Sequence, residues 1–136
     1  MKKKNENAGK SKFDYRTIKT VADAYEKTGF VMPSLPELPP SLAEEFREAL
    51  LAVYNLFVVF KAINDGWVAD YTDWNQTKYY PWQRVNSAGS GFDFSLSIYD
   101  YGSTYTYVGS RLCTDTSEKA LYIGKQFAPE YEKFML

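Results

Sequence analysis

The sequence predicts an α+β fold: an antiparallel meander of three to four strands packed on a long central helix and a C-terminal helix. Three observations carry this. Residues 41–66 hold an apolar helical run marked at both ends. Alternating, tyrosine-rich stretches follow between residues 78 and 112. A second helical period closes the chain from residue 114 onward.

Taken in order, residues 1–12 hold five lysines and one glutamate, net +4, with almost no apolar side chains, and read as a disordered basic arm. Residues 13–136 read as one domain. Thr20 and Asp23 have the spacing of a capping box, with Ile18 placed over the first turn, so a helix is expected over Val21 to Lys27, ending at Gly29. Phe30 to Pro40 carries Pro33, Pro36, Pro39 and Pro40. It predicts an extended connector that lies across the core through Val31, Leu35 and Leu38.

The central helix is expected to start at Ser41 as N-cap, with Glu44 completing a capping box, and to end at Gly66 in a left-handed cap. From Leu50 to Ile63 it is apolar nearly all round, broken by Asn55 and Lys61. A helix apolar on every side is buried on every side, so Val53, Phe57 and Phe60 are expected in the core. Asn55 reads as a buried amide bonded to a neighbouring strand or loop, or else as a polar ligand contact.

Trp67 to Tyr71 predicts loop or a short fourth strand. Lys78 to Val85 predicts a strand, with Pro81 marking an edge. Asn86 to Gly91 reads as a turn. Phe92, Phe94, Leu96 and Ile98 alternate with polar residues in the clearest strand, and Thr104 to Leu112 reads as the next. In the last helix Asp115 or Thr116 is the expected N-cap. Ala120, Gly124, Phe127, Tyr131 and Phe134 form its inward stripe, and Pro129 predicts a kink.

Composition excludes several chemistries. The chain has no histidine, which removes Ser-His-Asp and Cys-His triads and histidine metal sites. One cysteine, Cys113, allows no intrachain disulfide and reads as a buried structural thiol. The net charge is −1, so the basic arm leaves net −5 for the domain, a poor surface for duplex phosphates. No stretch reads as a signal peptide or a membrane span, and the expected location is cytoplasmic.

Several motifs occur together: Ile18-Lys19-Thr20 with Asp23-Ala24, Asn64-Asp65-Gly66-Trp67, Lys78-Tyr79-Tyr80-Pro81-Trp82, Val108 through Cys113, and Gly124-Lys125-Gln126-Phe127. Through them, residues 15–136 resemble a family of small uncharacterised proteins of gut Bacteroidales genomes and their prophage-like elements. Thr114 departs from the phenylalanine of that pattern. The resemblance implies a mobile-element or phage setting, and with it a virion-associated location as the alternative to the cytoplasm. It implies no activity or site.

The segment from Trp67 to Trp82 is the best candidate site. Its Trp67, Tyr71, Trp74, Tyr79, Tyr80 and Trp82 combine apolar bodies with polar tips, which suits stacking on partner proteins, sugars or bases. Arg84 and Arg111 are the arginines of the sheet region and candidate anion contacts. Asp70, Asp73, Asp93 and Asp100 match no metal-loop spacing. The reading favoured is a non-catalytic protein-interaction module, in the setting above a virion, accessory or regulatory component. Its expected partner is another protein or a second copy, without cofactor or metal. The alternative is a single-stranded nucleic-acid binder using the aromatic face and the basic arm. An enzyme built on carboxylates and arginine is a third class.

Overall fold

The structure is a computed structural model and describes residues 12–86, 88–89, 91–100 and 107–136, of which 93–100 are described by their backbone alone. The expected basic arm therefore lies outside the described residues, apart from Lys12. Among the described residues four α-helices and one antiparallel strand pair make an α+β fold: α1 (Val21–Thr28), α2 (Glu44–Asn64), β1 (Lys78–Val85), β2 (Phe92–Asp100), α3 (Ser117–Gln126) and α4 (Ala128–Met135).

α1 forms as its sequence dictates. Thr20 Oγ1 accepts from the Asp23 amide at 3.1 Å, and the Asp23 carboxylate accepts from the Thr20 amide at 3.0 Å. The Lys19 amide, which also donates to this carboxylate at 3.0 Å, the Thr20 amide and the Thr20 side chain together hold the Asp23 carboxyl below the usual carboxylate range. Gly29, at φ 77°, closes the helix with its amide on the Tyr25 carbonyl.

α2 begins later than its sequence suggests. Pro39 accepts the Leu42 amide in a turn, which leaves Ser41 inside that turn and makes Ala43 the N-cap, without a side-chain cap. What organises this end is Arg47. Its guanidinium donates to the carbonyls of Pro39 (2.7 Å), Leu35 (2.8 Å) and Leu38 (3.0 Å), tying the connector's turns to the first turn of the helix. The far end of the connector meets α2 one helix half later, with Lys61 Nζ 5.9 Å from the Phe30 ring centroid. The connector thus runs antiparallel to α2. It covers the helix only partly, because Phe30, Val31, Met32 and Leu35 stay exposed. At the C-terminus the left-handed residue is Asp65 (φ 45°), one position before the expected Gly66, which is itself at φ 97°. Asp65 is held by Lys27 at 2.9 Å.

The expectation that α2 is buried all round is corrected. One face, carrying Leu56, Val59, Phe60 and Ile63, packs against α1 and α4 and forms the core with Ala24, Tyr25, Ile123, Phe127 and Tyr131. Val53 and Phe57 are only half-buried, and Phe46, Leu50 and Tyr54, at i, i+4 and i+8, are exposed. α1 and α4 do not cover this second face, and the thin connector spans only part of it.

Asn55 is resolved as a structural amide, although its partners are helices and not a strand or loop. Its Oδ1 accepts from the Tyr25 hydroxyl at 2.7 Å and its Nδ2 donates to Glu130 at 3.4 Å. Burial, with Tyr54 and Glu130 nearby, pushes the Tyr25 phenol up to about 12. A phenol whose folded pKa is raised stabilises the fold fully below pH 10 and loses that contribution as pH rises through 12. Thermal melts from pH 9 to pH 12 should therefore fall, and Tyr25→Phe should make the slope shallower. An unchanged slope would show that Tyr25 titrates normally.

β1 has the predicted boundaries and pairs antiparallel with β2, from Lys78 opposite Asp100 to Val85 opposite Phe92, with a bulge at Arg84/Val85. The Asn86 amide bonds the Gly91 carbonyl at 2.8 Å across the turn. Among the described residues the meander stops at two strands. Trp67 to Tyr71 is irregular, and Tyr107 to Leu112 forms bends and a turn, while residues 104–106 lie outside the described residues. Further on, the chain comes back to β1: Tyr79 and Thr114 exchange backbone bonds of 2.9 and 2.7 Å. Pro81, two residues on, points its donor-less nitrogen to the same edge, so this bridge cannot extend.

The predicted kink at Pro129 is a complete break. α3 is capped by Thr116, whose Oγ1 accepts from the Lys119 amide, and ends at Phe127. α4 restarts with Pro129 in its first turn, where no amide donor is needed. α3 packs on both strands, and Gln83 of β1 donates to the buried Gly124 carbonyl at 3.2 Å.

Candidate functional site

The predicted aromatic segment divides into a structural half and an exposed half. Its backbone is set by short side chains that bond locally. Asp70 accepts from the Thr72 amide and hydroxyl, which lowers its pKa, and Asp73 accepts from the Asn75 amide. Gln76 spans the loop, accepting from the Asp70 amide at 2.6 Å and donating to the Val68 carbonyl at 3.0 Å. Beneath it, Lys78 is fully buried. Its ammonium donates to the Gln76 carbonyl at 2.7 Å and to Asp73 at 3.4 Å, and sits 4.9 Å from the Tyr71 ring centroid.

This arrangement places a second small core on one face of β1. Tyr80, Ala69 and Cys113 are buried there, with Trp67, Tyr71 and Val108 packed around them. Tyr80, Trp67 and Tyr71 are therefore packing residues first. Tyr79 is half-buried, and its backbone makes the bridge to Thr114. Trp74 is 74% exposed, and Trp82 and Arg84 are exposed further along β1. Tyr107 approaches Tyr80 at 6.3 Å and is also exposed.

Arg111 goes elsewhere. It lines a groove of about 460 Å³ along the C-terminal half of α2. Tyr54, Phe57, Val58 and Lys61 form one wall, Phe30 another, and Trp67 with Val68 a third. That volume is within the range of ligand-binding clefts. The charged residues lining it are Lys61 and Arg111, both cations and both exposed, and neither has an ion pair among the described residues. Asn64 lies at the same end. Its Nδ2 donates to the Cys113 carbonyl at 2.9 Å, while its Oδ1, shielded from water, has no hydrogen-bond partner among the described residues. Sequence reasoning missed this groove. The signal was available in Lys61, a cation within an apolar helix half, and in more apolar residues than one core face can use.

Asp70 and Asp73 serve the loop turns, and among the described residues no three histidine, cysteine or acidic side chains converge on a point that could hold a metal ion. Cys113 is buried, with its Sγ 3.7 Å from the Ser110 carbonyl. Among the described residues no helix is long and apolar enough to cross a membrane. The chain matches no known protein family, no curated protein and no solved structure.

Proposed function

We propose that this chain is a non-catalytic protein-interaction module whose docking surface is the uncovered face of α2 with its connector. The observation that supports this is the run of exposed apolar side chains Phe46, Leu50 and Tyr54 beside Phe30, Val31, Met32 and Leu35. A contiguous apolar surface left open by a folded domain is characteristic of interaction sites. The resemblance to proteins of prophage-like elements supports a setting in a bacterial mobile element.

A second copy of the chain is the partner that can be measured directly. Sedimentation velocity should show the wild type associating with rising concentration. The double variant Phe46→Ser, Leu50→Ser should sediment as a monomer with an unchanged circular dichroism spectrum. A wild type that remains monomeric throughout would remove self-association. The rival is a single-stranded nucleic-acid binder, favoured by Trp82, Arg84 and Tyr107 exposed at one end of β1. It predicts oligonucleotide binding that weakens steeply with salt and is lost in Trp82→Ala.

A further inference from the structure

We infer that the groove beside α2 binds the free C-terminal end of a partner polypeptide whose last side chain is apolar. The inference rests on the protein-interaction reading and names the kind of segment taken. Three features of the groove define the ligand. Its walls are rings and aliphatic side chains, with Phe30, Phe57 and Trp67 the largest, so the ligand brings an apolar group. Lys61 and Arg111 lack anionic partners among the described residues, so the ligand brings a negative charge to that end. The nearest carboxylates in sequence are held elsewhere: Asp65, four residues from Lys61, pairs with Lys27, and Asp115, four residues from Arg111, pairs with Lys119.

The third feature is the Asn64 acceptor. A buried acceptor without a donor is costly, and a ligand donor there recovers that cost. The Cys113 carbonyl holds Nδ2, which fixes the orientation of the amide and leaves Oδ1 without a donor among the described residues; it is enclosed away from water, so a ligand N–H meets it only as the side chains around it part. Lys61 and Asn64 are three residues apart on one helix face, so charge and acceptor are neighbours. A fatty acid satisfies the walls and the cations but offers no donor. A chain terminus carries all three groups on one residue: an apolar side chain, a carboxylate, and an amide N–H one carbon away from that carboxylate.

The test uses fluorescein-labelled Gly-Ser-Gly-X peptides, with X as Phe, Leu, Trp or Val, and fluorescence anisotropy on the full chain. At least one free-acid peptide should bind. Amidating its terminus should weaken binding tenfold or more, and N-methylating the terminal amide about fivefold. Arg111→Met and Lys61→Met should weaken the free acid tenfold and leave the amidated peptide unchanged. Failure of all free-acid peptides to bind would overturn the inference, as would equal binding of free acid and amide or of the N-methylated form. Decanoate competing for the groove more tightly than the best peptide would assign it to a lipid instead. Phe46→Ser, Leu50→Ser leaves the groove intact, so peptide binding and self-association are lost or kept independently.

Discussion

Phe60→Ala is expected to lower the unfolding free energy by about 3–5 kcal/mol, whereas Phe57→Ala, three residues earlier on the same helix, should cost only about 1–2 kcal/mol. Phe60 is 1% exposed and, although one edge of its ring borders the groove, joins the core of α1, α2, α3 and α4, where truncation removes buried area and leaves a cavity. Phe57 is half-buried on the groove wall, so its truncation enlarges a space already open to water. Urea denaturation should show the midpoint falling at a constant slope in both variants. Similar losses from the two would mean that α2 is packed equally on both faces, and the docking surface proposed above would not exist.

Lys78→Met should destabilise the protein by about 2–4 kcal/mol, an unusual result for a lysine without a salt bridge among the described residues. The ammonium is enclosed, and it is the donor for the carbonyls of Gln76 and Asp73 and the cation against the Tyr71 ring. Charged hydrogen bonds of this kind contribute about 1.5–3 kcal/mol and a desolvated cation–π contact about 2 kcal/mol. Methionine fills similar volume but leaves the carbonyls without a donor. Hydrogen exchange should then speed up through residues 67–77 while α1 and α4 stay protected, because the second small core opens first. A loss under about 0.5 kcal/mol would show that water reaches those carbonyls and replaces the ammonium.

Elements governed by neighbouring residues were legible in the sequence. The capping box of α1, its Gly29 terminus and the α3 cap, expected at Asp115 or Thr116 and found at Thr116, each depend on bonds spanning a few residues, and such bonds are encoded by residue type and spacing. Pro129 was read correctly as a disruption but not as a full break, because whether a helix bends or restarts depends on what its two halves pack against. The start of α2 was misplaced for a related reason. Ser41 has the right neighbours for a cap, but the Pro39 turn and the Arg47 guanidinium, reaching across as many as twelve residues, take that backbone first.

By itself, the sequence determined that this is an α+β chain with a long apolar helix, no histidine chemistry, and a dense aromatic segment after that helix. Only the tertiary structure decided how those residues are used. An all-round apolar pattern records how much apolar surface a helix carries, and packing decides which of it is covered. α1 and α4 take one face of α2, which leaves Phe46, Leu50 and Tyr54 outside. The same applies to the aromatic segment: alternation cannot tell a ring that fills a core from one that faces water. The return of the chain to β1 through Tyr79 and Thr114 buries Cys113 with Tyr80, under Trp67, and sends Arg111 away from the exposed strand end to join Lys61. That long-range pairing closes a loop of more than thirty residues, and no local signal in the chain specifies it.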